Sequence, residues 1–320
     1  MTTILLDCDT GIDDALALLT AAFAPGVDLV GVGCTWGNID VDQAARNTHQ
    51  ILSLIGRGDV PVARGAEGPL DGSEAVFAQH VHGDDGAGNV ADRDHVPTLA
   101  PETAVEQLLR LSREHDDLHI VAVGPMTNLA LALQADPEVA HRVAHVTMMG
   151  GAALSPGNIT AAAEANIWHD AEAAAAVFEA AWPVTMVGLD VTMDAILTEE
   201  HRLRLTTGGP AARLCAAMLD HYYDFYTMVT GQRCAANHDA LAVAVAVGLV
   251  DVTLSPVVEV DVDTTHGPSR GRTVADLRGV WAGYPPVKGA RHRVVLEIEP
   301  GFEDRMIDLI LTGDPAESPA

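Results

Sequence analysis

Short apolar, β-branched runs alternate with helix-period segments through the first two-thirds of this chain, and that alternation leaves few folds open. Residues 3–8 are an apolar run ending in acid, with the length and branching of a buried strand. Residues 15–23 carry a helical pattern closed by Pro25 and Gly26. A second strand is expected over 29–34 and a helix over 43–55. Strands at 119–123, 144–149 and 184–189 then alternate with helices at 129–134 and 172–181. Repeated βα units of this size imply an α/β fold, a mostly parallel central sheet with helices on both faces. Segment 198–250 is helical in most of its length and is expected to form a helical cap beside the sheet. Runs 257–261 and 293–298 are expected to return to the sheet. Residues 71–97, rich in Gly, Asp and His, read as a long loop of the functional kind. The expected organisation is one domain over 1–313 with a disordered tail over 314–320.

Charge narrows the partners. Lys and Arg number 18 against 45 Asp and Glu, giving a formal net charge of -27. Such a surface repels phosphate backbones and anionic lipid, so neither nucleic acid nor membrane is an expected partner. No run reaches the length of a membrane span, and residues 1–8 lack a basic leader, so a cytoplasmic protein is expected. Cys8, Cys34, Cys215 and Cys234 are widely spaced, which favours free thiols.

Asp7, Asp9, Asp13 and Asp14 fall between the end of the first strand and the start of the first helix. At about 5 Å, each pair of carboxylates repels by roughly 3 kcal/mol at an effective dielectric of 20. A hard cation relieves that repulsion, and the local donors are oxygens rather than sulfur or imidazole. Helix capping plus a solvated turn is the alternative. Two templates fail. An EF-hand loop counted from Asp7 would need Gly and Glu where Ile12 and Leu18 stand. A dehalogenase-type phosphatase, with Asp7 as nucleophile and Mg²⁺, would want Thr or Val in place of Gly11. It would also want a well-placed lysine, and the chain has only Lys288.

Six separated motifs, the aspartate segment included, make up the pattern. The opening Asp7-Cys8-Asp9-Thr10-Gly11-Ile12-Asp13-Asp14-Ala15 is followed by Gly37-Asn38, then by Val123-Gly124-Pro125-Met126-Thr127-Asn128 and Met148-Met149-Gly150-Gly151. After these come Gly157-Asn158 with Glu164-Ala165-Asn166, and His238-Asp239. Together they resemble the inosine-uridine-preferring nucleoside hydrolase family, with Thr10 where that family usually has Pro. The resemblance spans nearly the whole chain. It implies a Rossmann-related fold, hydrolysis of ribonucleosides to ribose and free base, and a homodimer or homotetramer. It implies Ca²⁺ held by Asp9, Asp14, the Val123 carbonyl and Asp239, with Asp9 also the general base for a metal-bound water. By the same resemblance Asp13 reads the ribose 2′-hydroxyl, while Asn38, Met149, Asn158, Glu164 and Asn166 contact the remaining substrate. His238 matches a general acid for the leaving base, His82 a base-side position in the mobile loop, and Asp7 a support for the other acids. Tyr222 and Tyr226, four apart on one helix face, either line the base pocket, relay protons to His238 or pack in the core. For Asn158 and its neighbours loop capping is the plainer alternative, and for Asp239 a helix N-terminal acid. A ribose- or calcium-binding protein without turnover is a further alternative.

Overall fold

A computed structural model of the chain describes residues 1–316. Six strands alternate with helices, five where the sequence places them and β3 at a position that the pattern did not mark: β1 (Thr2–Cys8), β2 (Val27–Cys34), β3 (Val62–Arg64), β4 (His119–Ala122), β5 (His145–Met149) and β6 (Val184–Val187). With strands His292–Val294 and Val257–Val258 they form one eight-stranded sheet. Its order from one edge is Val257–Val258, His292–Val294, β6, β5, β4, β1, β2, β3. All neighbours are parallel except the edge strand Val257–Val258. β1 sits in the middle and is buried along nearly its whole length, as a strand covered on both faces must be. Its residues divide between two cores: Ile4, Leu6 and Cys8 on one face of the sheet, Leu5 on the other.

The order places a topological switch between β1 and β4, because the chain winds outward to β2 on one side and returns to β4 on the other. Open α/β sheets bind ligands in the crevice at the carboxyl ends of such strands. Asp9 follows β1 and Val123 follows β4, so the crevice opens at these two positions.

The segment expected as a cap behaves differently. Helix His238–Val247 packs on the first helix, Ile12–Phe23, and over β5 and β4, so it belongs to the layer covering the sheet. Its all-round apolar sequence suits that buried place better than an exposed cap. Helix Pro210–Thr230 leans on the first helix and on the short helix Gln79–His82 in the long loop. The C-terminal runs return to the sheet only in part. Strand Val260–Val262 pairs with Thr273–Ala275, and Glu297–Ile298 with Val252–Leu254, in separate two-stranded ribbons. A further helix, Phe302–Gly313, buries Phe302, Met306, Ile307 and Ile310 and packs on the first helix. Asp314, at the head of the expected tail, is buried: its carboxylate accepts from Ala212 N at 2.7 Å and its carbonyl from Gly209 N at 2.6 Å. Residues 317–320 of that tail lie outside the described residues. All four cysteines are free and buried.

Candidate active site

The floor of the crevice is the acidic turn between β1 and the first helix. Asp14 shapes it, accepting from Asp9 N at 3.2 Å through Oδ1 and from Gly11 N at 2.8 Å through Oδ2. Helix capping and acid clustering are therefore the same structure. Asn38 ties the second loop to this turn: its backbone N donates to Asp9 Oδ2 at 2.6 Å and its Nδ2 to Asp14 Oδ2 at 3.0 Å. Gly37, at φ +150, makes that approach possible, since a Cβ there would collide with Asp9 Oδ2. Asp7 lies beneath and accepts from Asn128 Nδ2 at 2.8 Å. Asn128 also donates to the Cys34 carbonyl and accepts from Ala66 N, a supporting role that its place in a motif did not reveal.

All five acids here, Asp7, Asp9, Asp13, Asp14 and Asp239, are buried. Among the described residues no Lys or Arg pairs with any of them. Burial pushes Asp7 up to about 7. Burial and then the Asp14 charge push Asp13 up to about 8, and both act on Asp9 in the same direction. Asp239 is likewise raised, by burial and then by Asp13, Asp14 and Asp9. Ligand oxygens of Asp13, Asp14 and Asp239 come within 4.8 Å of one another. Asp9 Oδ1 and Asp13 Oδ1 are buried with no hydrogen-bond partner. Oxygen-only donors, excess negative charge and orphaned oxygens fit a hard divalent cation. Asp13, assigned to the sugar by resemblance, stands within this cluster.

Above the floor is a cavity of about 550 Å³. Of the residues named from sequence, Asp13, Asn38, His82, Val123, Met149, Asn158, Glu164, Asn166, Tyr222, Tyr226, His238 and Asp239 line it. Asp9 and Asp14 lie under its surface. On one wall, Asn166 Nδ2 donates to the Val123 carbonyl at 2.9 Å and the Met149 carbonyl at 3.1 Å. Glu164 caps the helix Ala165–His169: its carboxylate accepts from Asn166 N, Ile167 N and Gly151 N. Asn158 Oδ1 accepts from Ala165 N at 3.0 Å. Capping thus takes one oxygen of Asn158 and both of Glu164.

The opposite wall is aromatic and uncharged. His82 Nδ1 accepts from Ile12 N at 3.1 Å, so Nε2 carries the ring hydrogen. The 3.9 Å approach of that Nδ1 to Asp13 Oδ1 is therefore no ion pair, and burial holds His82 down at about 3. A Cβ on Gly11 would lie 2.5 Å from His82 Nδ1, so glycine admits the ring. Tyr222 stacks on His82 with centroids 5.4 Å apart and donates to Asp13 Oδ2 at 3.3 Å. His238 is buried and pushed down to about 4. Its Nε2 lies 2.8 Å from Tyr226 Oη and its Nδ1 2.8 Å from Thr192 Oγ1. Of the alternatives left open for the tyrosines, this geometry favours pocket lining with hydroxyls inward. Thr192, Phe77, Phe225, Leu189 and Met193 complete or back this wall, and none was marked by a sequence signal.

The family model described as inosine-uridine preferring nucleoside hydrolase matches residues 4–299. A pyrimidine-specific ribonucleoside hydrolase of Escherichia coli is 39% identical over 313 residues, covering 95% of this chain and 97% of the relative. A probable uridine nucleosidase of Oryza sativa is 33% identical, covering 90% of this chain and 88% of the relative. Among solved structures, a purine-preferring ribonucleoside hydrolase from Gardnerella vaginalis superposes with TM-score 0.87 at 34% identity. That superposition covers 97% of this chain and 98% of the other.

Proposed function

Because the chain belongs to the inosine-uridine preferring nucleoside hydrolase family and hydrolyses the N-glycosidic bond of ribonucleosides, we propose that it does so with calcium on the acidic floor and the leaving base against the aromatic wall. The observation that carries this reading is the pair of orphaned buried oxygens, Asp9 Oδ1 and Asp13 Oδ1, in an uncompensated cluster of buried acids. Asp9, Asp14, Asp239 and the Val123 carbonyl would hold the ion. When bound, calcium would polarise water and sugar hydroxyls and keep the carboxylates ionised.

The chain's own groups then divide the work. Asp9 Oδ1 takes the proton of the attacking water as the anomeric carbon gains oxocarbenium character. Asp13 Oδ1 accepts from the 2′-hydroxyl. Asn38, Asn158, Asn166, Glu164 and Met149 bound the sugar, with Glu164 acting chiefly through the loop it caps. On the other side Thr192 donates to His238 Nδ1, and His238 Nε2 donates to Tyr226 Oη. The Tyr226 hydrogen is then free to meet the departing base, and His82 Nε2 offers a second hydrogen. A neutral His238 suits such a directed chain better than direct proton transfer from an imidazolium, given its depressed pKa.

The reading includes one functional unit over 1–313, a role in nucleoside salvage, and a homodimer or homotetramer to be checked by sedimentation. A cytoplasmic location is part of it; four free cysteines suit a reducing compartment, and among the described residues no helix is long and apolar enough to cross a membrane. The test is release of free base and reducing sugar from inosine, adenosine, uridine and cytidine, before and after chelation. Loss on chelation with recovery on adding calcium supports the reading. Full turnover in chelator would refute the metal assignment, and phosphate release from phosphoesters would revive the phosphatase.

A further inference from the structure

The second helix, Val41–Leu54, carries four buried polar residues that do not line the cavity, and two of them, Asn47 and Thr48, reach the acidic turn. Asn47 Nδ2 donates to the Thr10 carbonyl at 3.2 Å and also to the Asp85 carbonyl at 2.9 Å. Its Oδ1 accepts from Gln43 Nε2 at 2.8 Å, which fixes the direction of the amide. Thr48 Oγ1 donates to the Ala44 carbonyl at 2.9 Å and so accepts from Thr10 Oγ1 at 2.5 Å. Thr10 belongs to the acidic turn, three residues before Asp13. Asp85 belongs to the base-side loop, three residues after His82.

Beyond Asp85 the loop tip is stiff. The Asp85 carboxylate accepts from Ala87 N and Asn89 N, each at 2.8 Å, and from Ala91 N at 3.0 Å, while Gly88 N donates to the His82 carbonyl at 2.8 Å. The tip is anchored to the core by Ala87, with Val81 and Ala91 packed beside it, and the polar bonds of Asp85 and Asn47 fix its direction. The Thr10 hydroxyl, bonded to Thr48, restrains the turn.

We propose that Asn47 and Thr48 are a positioning clamp that holds the acidic turn and the His82 loop in register across the cavity. The proposal rests on the base-side role given above to His82. A displacement of about 1 Å between reacting and positioning groups costs on the order of 100-fold in rate, and Asn47→Ala releases both segments at once.

Two measurements test it on the whole enzyme, with thermal melting as the folding control. Asn47→Ala should lower kcat on inosine by about 100-fold, and should cost much less on p-nitrophenyl ribofuranoside, whose leaving group departs without protonation. In a His82→Ala background the same substitution should cost clearly less than in the wild type, because the His82 side of the register is already gone, whereas independent sites add within about twofold. Equal losses on both substrates, or an additive cycle, would overturn the clamp. If Asn47→Ala fails to fold, Thr10→Val removes one bond of the same clamp and is read against the same outcomes. The His82→Ala enzyme alone tests the base-side role, so failure of that role and failure of the clamp are distinguishable.

Discussion

The two sides of the cavity solve opposite electrostatic problems. The floor gathers buried carboxylates without a basic partner, and each resolved shift there is upward. The facing wall buries His82 and His238, whose shifts are downward, among tyrosines and apolar side chains. Desolvation causes both: it disfavours whichever form is charged. On the proposed reading the floor takes a cation and holds sugar oxygens, and the wall offers a neutral, hydrogen-bonding surface to an aromatic base. N-glycosidic hydrolysis needs this asymmetry, because charge develops on the sugar side while the departing base must be kept from leaving as a free anion.

Breaking the floor should have the largest effect. Asp239→Ala should weaken calcium affinity by more than the roughly 100-fold that outer-shell changes reach, measured by calorimetric titration, with turnover falling in parallel. Unchanged calcium affinity would remove Asp239 from the ligand set. Breaking the wall should be selective. His238→Ala should cost inosine and uridine about 10²–10⁴-fold in kcat while sparing p-nitrophenyl ribofuranoside; equal losses would deny His238 a leaving-group role.

The pH dependence sharpens the comparison through stability. Asp13 is raised from 3.8 to about 8 in the folded protein, so its contribution is fully present below pH 3.8 and is lost as pH rises through 8. A bound cation holds the carboxylate ionised and removes that loss. The rise in Tm caused by calcium should therefore grow from pH 5 to pH 8, and a pH-independent rise would contradict it. His82 and His238 act in the other direction, losing stability as pH falls from 6.5 towards 4 and 3. Tyr226→Phe removes the hydroxyl through which His238 reaches the departing base, so on inosine it should cost about as much as His238→Ala and, like it, spare p-nitrophenyl ribofuranoside; a loss of only a few-fold would show that His238 acts without the tyrosine.

The floor was legible in the sequence because its chemistry is local. Asp7 to Asp14 lie on one strand end and one helix start, and the strand-helix alternation placed that junction at a sheet's carboxyl edge. The wall was legible only as single residues. Thr192 meets His238 across 46 positions, and no periodicity announces such a pair. Glu164 and Asn158 line the cavity, yet their oxygens largely cap backbone, the plainer alternative that an Asn beside Gly always carries. An apolar run such as helix His238–Val247 reads alike in a cap and in a covering layer, and only its packing on the first helix decides between them. The C-terminal ribbons escaped for a related reason, since short strands carry too few residues to specify a partner.

The central claim is that Asp9, buried at the end of β1 with one oxygen unpartnered, takes the proton from water. Asp9→Asn keeps the shape and the bond from Asn38 N while removing the base. In single-turnover experiments at saturating inosine, with the variant loaded with calcium, ribose formation should slow by about 10²–10⁴-fold while inosine binding persists. Ribose formation within a few-fold of the wild-type rate would contradict the account.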